Sequence, residues 1–439
     1  MNEPLPQTTG YRRLHPLTPV LRGWKVFAAA VALAFQQMYG DVDLRFLFLL
    51  IAVSIPVAVV YGFFSWRATR YGIVGEDLIV ETGVLNRRSR RVRLDRLQSV
   101  EVVRPLIARA LGLAELRLEV AGGASSNAPL AYLDEPAAQR LRAELLARAA
   151  GLEIGAAEAP VAPEHELLTV PAGRLVGSIL RSSLTVFSVL VVIGSIAAAL
   201  LLRRWQPLLI LGPAAISIVP ALFASFAGAY DFRVAESPDG LRLRRGLLET
   251  RAQTVPPGRV QALRITSPWL WRSAGWFRVQ VTVAGYAGEE SSGDASTLLP
   301  VGSRADVDAL VAIVFPGLDL ASLALVGVPR RARWLDPFQR RVLAIGLDER
   351  FAIVRRGWLT SYLDVVPHEK LQSARLVQGP LQRRLEVASL RLDVTPGPVT
   401  VLAAHRDSSE ARGLLEELIQ RSRVARAAAA PERWMRQRP

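Results

Sequence analysis

The densest cluster of residues able to do chemistry is a run of arginines in the first quarter of the chain. Six of the ten residues from Arg87 to Arg96 are arginine, namely Arg87, Arg88, Arg90, Arg91, Arg93 and Arg96. Guanidinium groups carry paired N–H donors that match phosphate oxygens, and each base near an anionic membrane surface adds about 1 kcal/mol of attraction. The run therefore predicts a surface that contacts anionic lipid headgroups. The alternative is a strand with an exposed basic face in an Arg-rich protein.

Residue types that carry catalysis or bind metals are sparse. Cys is absent, and the four histidines are widely scattered, without a partner three or four residues away, at His15, His165, His368 and His405. This distribution disfavours a zinc site. No Walker loop, dinucleotide fingerprint or nucleophile elbow occurs, and no aromatic residue is interleaved with the arginine run. We therefore expect no catalytic residue, no metal, no cofactor and no nucleic-acid partner, in a protein that is not an enzyme.

The composition indicates where these residues must be positioned. The chain has 439 residues, of which 51% are hydrophobic, yet its formal net charge is +15. Soluble enzymes rarely combine positive mean hydropathy with so many bases, whereas a membrane protein segregates apolar spans from basic flanks. The length suggests about three units at roughly 150 residues each. We therefore expect several domains and a membrane-embedded part.

Four apolar runs occur in two closely spaced pairs, at Trp24–Tyr39 and Phe46–Trp66, and then at Leu184–Leu202 and Leu208–Tyr230. A spanning helix needs about 20 apolar residues. Three runs meet that length, and the alternative for the shorter first run is a buried or interfacial helix. The pairs predict two transmembrane α-hairpins, which make four helices.

The bases beside these runs predict the orientation. Arginines and one lysine flank the outer ends of both pairs, whereas the two short turns contain only Arg45, Arg203 and Arg204. Positive residues favour the cytoplasmic side of the membrane. Both termini and all large polar segments are therefore expected in the cytoplasm of a bacterial cell, below its plasma (inner) membrane.

The polar segments contain an internal repeat. Gly83 matches Gly246 at a shift of 163 and Gly357 at a shift of 274, and the same shifts align Arg96-Leu97-Gln98 with its two counterparts. Each copy has strands of alternating polarity, such as Leu116 to Val120, and ends in an amphipathic helix with a start signal. The recurring glycine is typical of a tight hairpin or a bulge. Each copy thus predicts a small β-barrel or sandwich closed by a C-terminal helix.

The first copy follows a predicted membrane hairpin and consists of a strand, a glycine, a basic stretch and then Arg96-Leu97-Gln98-Ser99-Val100. This order resembles the bacterial pleckstrin-homology-like (PH-like) domain, also called the membrane-flanked domain. Three such copies with hairpins before the first and second resemble the YdbT family of bacterial membrane proteins. The resemblance implies PH-like barrels, a plasma-membrane location and no known catalytic residues. The second copy departs from the pattern at Pro256–Ala262, which puts its binding surface in doubt.

The resemblance and the four apolar runs together predict the fold class. It is a multi-domain membrane protein with two transmembrane α-hairpins and three PH-like β-barrel or sandwich domains, each with a C-terminal helix. The expected organisation is a basic N-terminus (1–23), hairpin 1 (24–66), domain 1 (67–155), a linker (156–175), hairpin 2 (176–230), domain 2 (231–318), a linker (319–335), domain 3 (336–424) and a basic, disordered tail (425–439). The third copy has no hairpin before it and is expected to dock on its neighbours.

Tryptophans form a second candidate interaction site, in the second copy. Trp269, Trp271 and Trp276 follow Pro268 at a junction between a loop and a strand. Such a cluster suits the headgroup layer or a protein partner. The alternative, which we favour, is barrel core, because the first copy has Leu106 and Leu113 at two of these positions.

Two functions from different classes fit these features. The first is a non-enzymatic scaffold that presents its domains to anionic lipid headgroups, to a membrane-protein partner or to another copy of itself, in envelope or membrane-stress homeostasis. The second is transport or lipid handling through the four spans. The apolar runs have no Asp, Glu, Lys or His at their centres, whereas a proton-coupled transporter usually has one. We therefore favour the scaffold.

Overall fold

The computed structural model describes residues 12–18, 60, 63–64, 66–74, 77–82, 88–94, 97–120, 128–149, 165–206, 208, 218–237, 240–284, 296–320 and 322–429. The chain divides into two compact units. The first is Met1–Val161 with Glu249–Arg251, and the second is Ala162–Leu248 with Ala252–Pro439.

The first unit contains strands followed by a helix. Its strands are β1 (Arg12–Arg13), β2 (Arg70–Val74), β3 (Asp77–Thr82), β4 (Arg88–Arg93), β5 (Leu97–Pro105), β6 (Leu113–Val120) and β7 (Ala128–Asp134). Its helices are α1 (Leu106–Ala110) and α2 (Glu135–Ala149). Strands β1 to β4 form one antiparallel sheet, and β5, β6 and β7 pair side by side.

The second unit begins with β8 (His165–Thr169), α3 (Ala172–Leu180), α4 (Ser183–Leu202) and α5 (Ile218–Ala229). Next come β9 (Arg233–Ser237), β10 (Gly240–Arg245), β11 (Glu249–Val255, whose first three residues are counted in the first unit), a 3-10 turn (Pro257–Arg259), β12 (Val260–Pro268), α6 (Trp269–Arg272), β13 (Phe277–Val283), β14 (Thr297–Gly302) and α7 (Arg304–Val314). The remainder is β15 (Val326–Gly327), a 3-10 turn (Arg330–Trp334), β16 (Ala344–Leu347), β17 (Phe351–Arg356), β18 (Thr360–Pro367), a 3-10 turn (His368–Lys370), β19 (Ser373–Val377), α8 (Pro380–Arg384), β20 (Val387–Asp393), β21 (Val401–Asp407) and α9 (Ser408–Ala428).

All three copies have the same order of elements. Four strands are followed by three strands and a C-terminal helix, which is α2 in the first copy, α7 in the second and α9 in the third. The predicted repeat of strands closed by a helix is therefore confirmed. The hairpin glycines of the second and third copies, Gly246 and Gly357, have φ values of +111° and +87°. These are left-handed conformations that glycine adopts without strain.

The alternating strands form the cores. Leu116 and Leu118 of β6 are buried, as are Val279, Val281 and Val283 of β13. The helix on each copy covers this apolar face, and α7 buries every apolar position predicted for it, at Val307, Leu310, Val311 and Val314. The period of two in the sequence thus identified the buried face correctly.

The helix start signals are also largely confirmed. Ser303 caps α7 in a reciprocal capping box with Asp306. Asp407 caps α9 by accepting hydrogen bonds from the backbone N–H groups of Ser409 and Glu410. The Glu410 carboxylate bonds to the buried Arg406 guanidinium instead of reaching back to the cap. Leaving the buried Arg406 guanidinium without a partner would cost more free energy than losing one capping bond at the surface, so Glu410 pairs with Arg406.

The third copy joins the second through a shared sheet. Strand β12 of the second copy pairs antiparallel with β18 of the third, with Leu263 opposite Val365 and Pro268 opposite Thr360. The two cores also meet, because the rings of Phe315 and Phe351 lie 5.3 Å apart. The copy that lacks its own hairpin is therefore held by backbone pairing and apolar contact.

The predicted spans are described only in part. Helix α4 matches the third run, and among the residues that the structure describes it is the one helix long and apolar enough to cross a membrane. The described part of the fourth run contains the 12-residue helix α5, and residues 209–217 lie outside the described residues. The first run, and the second apart from a few helical residues at its end, lie outside the described residues.

Several segments expected to be irregular are ordered. The linker predicted at 156–175 contains β8, and that at 319–335 contains β15. Each of these strands completes a group of four strands. Neither could be predicted from alternating polar and apolar residues, because β15 is only two residues long and the residues of β8 do not alternate. The basic tail was expected from residue 425, yet α9 continues to Ala428, where Arg426 bonds back to Ser422. The rest of the tail lies outside the described residues from 430 onward.

The segment before the first predicted hairpin is also structured. Strand β1 pairs with β2, so that Arg13 lies opposite Arg70. The Leu14 carbonyl accepts a hydrogen bond from the Trp66 indole N–H at 2.7 Å. Leu17 packs on the small core formed by Ala108, Leu113 and Tyr132. The N-terminus was predicted only as a basic flank, and it instead supplies a strand of the first copy.

Candidate functional site

The arginine run forms strand β4, at the edge of the four-stranded sheet of the first copy. Leu78 and Val80 of β3 lie opposite Val92 and Arg90. Leu78, Val80 and Val92 are buried, so this side of the strand faces the core. Charged side chains on an edge strand also discourage pairing with other chains, which agrees with the structural alternative considered above.

The arginines of β4 are divided between its two faces. Arg91 and Arg93 are exposed on the outer face, whereas the exposed Arg90 alternates to the side of Val92. Arg88 lies in the strand, and Arg87 and Arg96 lie outside the described residues. The sheet therefore does not present the run as one continuous strip.

The sheet brings other charges to the outer face. Arg70 of β2 is exposed there and lies opposite Glu81. Asp77 forms an ion pair with Arg91 at 3.5 Å. We define the basic face as Arg70, Arg91 and Arg93, with Asp77 and Glu81 between them. Sequence reasoning missed Arg70, because only the strand register places it on the same face of the sheet as Arg91 and Arg93, which follow it by 21 and 23 residues.

In the second copy, two of the predicted tryptophans hold helix α3, which directly precedes α4. Trp271 is buried, and its indole N–H donates to the Ser178 carbonyl of α3 at 3.1 Å. Trp276 stacks edge-on against Trp271, with centroids 6.5 Å apart. A Cβ at Gly177 would lie 2.8 Å from the Trp276 ring, so the helix fits closely only because this residue is glycine. Trp269 is exposed and takes no part in this contact.

An ion pair near the start of α3 also holds this helix against the second copy. Arg174 donates to Asp306, which forms the capping box of α7 with Ser303, at 2.8 Å. Burial alone would raise the pKa of Asp306, but the bonds from Ser303 and the positive charge of Arg174 hold its pKa below the ordinary value. Arg174 and Asp306 are 132 residues apart, so the sequence contained no signal that they meet.

The ends of the apolar helices are tied to the same copy. The Thr185 hydroxyl in the first turn of α4 donates to the Ile179 carbonyl of α3 at 2.6 Å. At the end of α5, the Ala227 and Tyr230 carbonyls accept hydrogen bonds from the N–H groups of Leu247 and Gly246, both at 2.8 Å. Helix C-termini leave such carbonyls unsatisfied. The hairpin tip of the second copy, at Gly246 and Leu247, therefore caps the end of α5.

Two of the four described histidines, His368 and His405, have structural surroundings. His368 is buried, its Nε2 lies 3.0 Å from the Asp348 carbonyl, and burial lowers its pKa. Burial also lowers the pKa of His405, whose Nδ1 lies 3.1 Å from the Gln382 amide. Within the described part of the chain, no three His, Asp or Glu side chains are grouped to hold a metal ion.

Comparison with known proteins identifies the repeated unit. The family described as bacterial PH domain matches residues 26–149, 184–315 and 296–422, which together make up most of the chain. The chain is also 24% identical over 298 residues to the UPF0699 transmembrane protein YdbT of Bacillus subtilis (strain 168). That alignment covers 60% of this chain and 58% of the relative's length. With three matched segments, each ending in the helix that closes a copy, the chain belongs to the bacterial PH domain family.

Proposed function

We propose that the chain is a non-enzymatic, multi-pass protein of the bacterial inner membrane. Two helical hairpins hold three bacterial PH domains on the cytoplasmic face, where they serve as a scaffold for anionic lipid headgroups or protein partners. The distant relative is named a transmembrane protein, and α4 is apolar and long enough to cross a bilayer, which points to membrane association.

The pairing of the hairpin flanks carries this proposal. Thr169, before α3 and α4, lies opposite Arg233, directly after α5. Arg13 and Arg70 flank the first predicted hairpin in the same way. Two residues paired in one sheet occupy one aqueous compartment, so the chain between them must cross the membrane an even number of times. Two crossings per segment satisfy this condition with the apolar runs available.

The organisation that follows keeps the predicted domain order and adds the strands seen at the flanks. The first domain consists of residues 67–155 together with β1. The second and third domains begin with β8 and β15. The first hairpin then connects two strands of the four-stranded group of the first domain, and the second hairpin connects two strands of the corresponding group of the second domain.

The basic face supports lipid contact as the more specific part of the proposal. Arg70, Arg91 and Arg93 offer three exposed guanidinium groups, near the point where the chain leaves the second apolar run. Asp77 and Glu81 reduce the local charge, so we expect a weak and salt-sensitive attraction to anionic headgroups.

Single-cysteine labelling tests the topology cleanly, because the natural chain has no Cys. Variants Ser89→Cys, Ser373→Cys and Arg203→Cys place one thiol in the first domain, in the third domain and in the turn after α4. In spheroplasts, an impermeant maleimide should label only the Arg203→Cys chain, and a permeant maleimide should label all three. Labelling of Ser89→Cys or Ser373→Cys by the impermeant reagent would refute the proposed orientation.

Lipid contact is tested on the full chain, because a fragment that starts at residue 67 lacks β1. The Ser89→Cys protein carries an environment-sensitive dye and is reconstituted in nanodiscs with or without anionic lipid. We expect anionic lipid to shift the emission to shorter wavelength, and the shift to be lost in Arg91→Ser/Arg93→Ser. Arg391→Ser, which removes an exposed arginine from the third copy, is the control. Emission that is independent of lipid charge would contradict the contact.

A further inference from the structure

The third copy presents an exposed aromatic patch on its hairpin β17–β18. We define the hairpin patch as Phe338, Trp358 and Leu359, which are 67%, 49% and 55% exposed. The rings of Phe338 and Trp358 lie 5.4 Å apart. Adjacent large apolar side chains exposed in this way are uncommon on a soluble surface and mark a contact site.

The repeat indicates what this hairpin normally meets. Gly357 of the third copy corresponds to Gly246 of the second, whose hairpin caps the end of α5. No apolar run precedes the third copy, so its hairpin has no helix of its own to cap. The tip reads Gly357-Trp358-Leu359 there, with a tryptophan where the second copy has Leu247.

A series of direct contacts connects the hairpin patch to the base of α4. Arg272, the last residue of α6, donates to the Trp358 carbonyl at 2.6 Å. Trp271 of the same short helix donates to the Ser178 carbonyl of α3. Helix α3 ends at Leu180, and α4 begins at Ser183. The patch thus belongs to the end of the second unit at which the chain enters its apolar helix.

The surroundings of the patch match a membrane interface in charge. Arg333, Arg341 and Arg355 are exposed in the segments that flank it, and Arg333 lies over the ring of the exposed Trp334. Tryptophan and arginine together are enriched at the headgroup level of membranes. A protein partner would not explain why the patch adjoins the base of α4.

We infer that the third bacterial PH domain, although it has no hairpin of its own, inserts the hairpin patch into the headgroup layer of the membrane that α4 spans. Trp358 and Leu359 enter the interface, and the neighbouring arginines meet lipid phosphates. This inference rests on the membrane placement of α4 in the proposed function. It adds a second attachment point, so that the second and third domains lie close to the lipid surface.

Depth-dependent quenching in proteoliposomes tests the inference on the full chain. One dye-labelled cysteine replaces Leu359, Leu402 or Leu190. The quencher is a nitroxide attached near the lipid headgroup for positions 359 and 402, and a nitroxide attached along the acyl chain for position 190. Leu402 is an exposed leucine on β21 of the same domain, and Leu190 lies within α4. We expect quenching at position 359 well above that at position 402, and its loss in the Trp358→Ser/Phe338→Ser background.

The outcomes separate this inference from the proposed function. Quenching at position 190 without quenching at position 359 leaves the membrane anchor intact and overturns the inference. An absence of quenching at position 190 overturns the membrane placement itself, and the inference with it. If shielding of the dye at position 359 from solvent depends on protein concentration and not on lipid, the patch contacts a second copy of the chain. That result also overturns the inference.

Discussion

The buried charge at the junction of the second and third domains gives the sharpest stability prediction. Asp364 of β18 is fully buried. It accepts two hydrogen bonds from Arg264 of β12, at 2.5 and 3.1 Å, and a third from Arg356 at 3.2 Å. Arg264 is itself buried and also donates to the carbonyls of Pro398 and Thr400. The substitution Asp364→Asn therefore leaves a buried guanidinium without its counter-charge.

The expected cost follows from that burial. Removing one partner of a buried ion pair destabilises a protein by about 3–5 kcal/mol, because the remaining charge stays desolvated. A loss of 1 kcal/mol lowers Tm by roughly 2–4 °C in a domain of 150–250 residues. Asp364→Asn should therefore lower the Tm of the full chain in detergent by roughly 10 °C, as measured by near-UV circular dichroism.

Asp393→Asn is the matched control. Asp393 also binds two arginines, Arg375 at 2.9 Å and Arg391 at 3.1 Å, but both of these arginines are half or more exposed. Exposed ion pairs contribute about 0–1 kcal/mol, so Tm should fall by only a few degrees. Equal and small losses in the two variants would show that the Asp364 cluster does not hold the two domains together.

Three further predictions concern other contacts. Gly177→Val should cost roughly 1–3 kcal/mol by forcing α3 away from Trp276, whereas Gly173→Val on the same helix, with open space around it, should cost less. Glu386→Gly should raise stability by about 0.5–1 kcal/mol, because residue 386 has a φ of +49°, and Glu386→Ala should not. The pKa of Asp306 is lower in the folded protein than its ordinary value, so ionised Asp306 stabilises the fold at pH values above that ordinary pKa. This stabilisation is lost as the pH falls through the pKa of the folded state, and Asp306→Asn should therefore make the free energy of unfolding less dependent on pH in acid.

Each of these predictions has a measurement and a contrary result. Limited proteolysis at the start of α4 reports release of α3, and equal cleavage of the Gly177 and Gly173 variants would refute the close fit. Thermal unfolding reports the effect of Glu386→Gly, and a lower Tm would mean that its ion pair with Arg331 outweighs the backbone strain. Unfolding measured from pH 6 down to about pH 2 tests Asp306, and an identical dependence of stability on pH in wild type and Asp306→Asn would contradict its role.

The repeat was the part of the fold most accessible from the sequence. Some of its anchors mark backbone positions that geometry constrains, as at Gly112, which aligns with Gly275 at the shift of 163 and with residue 386 at the shift of 274. Gly112 and Gly275 both have positive φ, and the corresponding residue of the third copy, Glu386, also does. Pro105 and Pro268 end strands β5 and β12, whereas the proline of the third copy, Pro380, lies one place later in the repeat and opens helix α8. Positions with a constrained backbone conformation can therefore be recognised in a single sequence.

The candidate sites were less accessible, because they depend on register and on long-range contacts. The arginine run was visible, but its division between two faces, and the addition of Arg70, follow from strand pairing. The tryptophan cluster was visible too, yet only the fold separates Trp271, which holds α3, from the exposed Trp269. A pattern in the sequence identifies residue types in a site, and tertiary contacts decide their roles.

Cross-linking of Thr169→Cys with Arg233→Cys, in membranes containing the full chain, tests the central claim that a hairpin leaves and re-enters the same sheet. Directly opposed antiparallel residues have Cα atoms roughly 4.5–5.5 Å apart, which suits a disulfide. The pair Thr169→Cys with Arg244→Cys is the control, because Arg244 pairs with Arg233 one strand further away. Mild oxidation should link 169 to 233 and leave 169 and 244 unlinked. Failure to link 169 to 233, or equal linking of both pairs, would contradict the account.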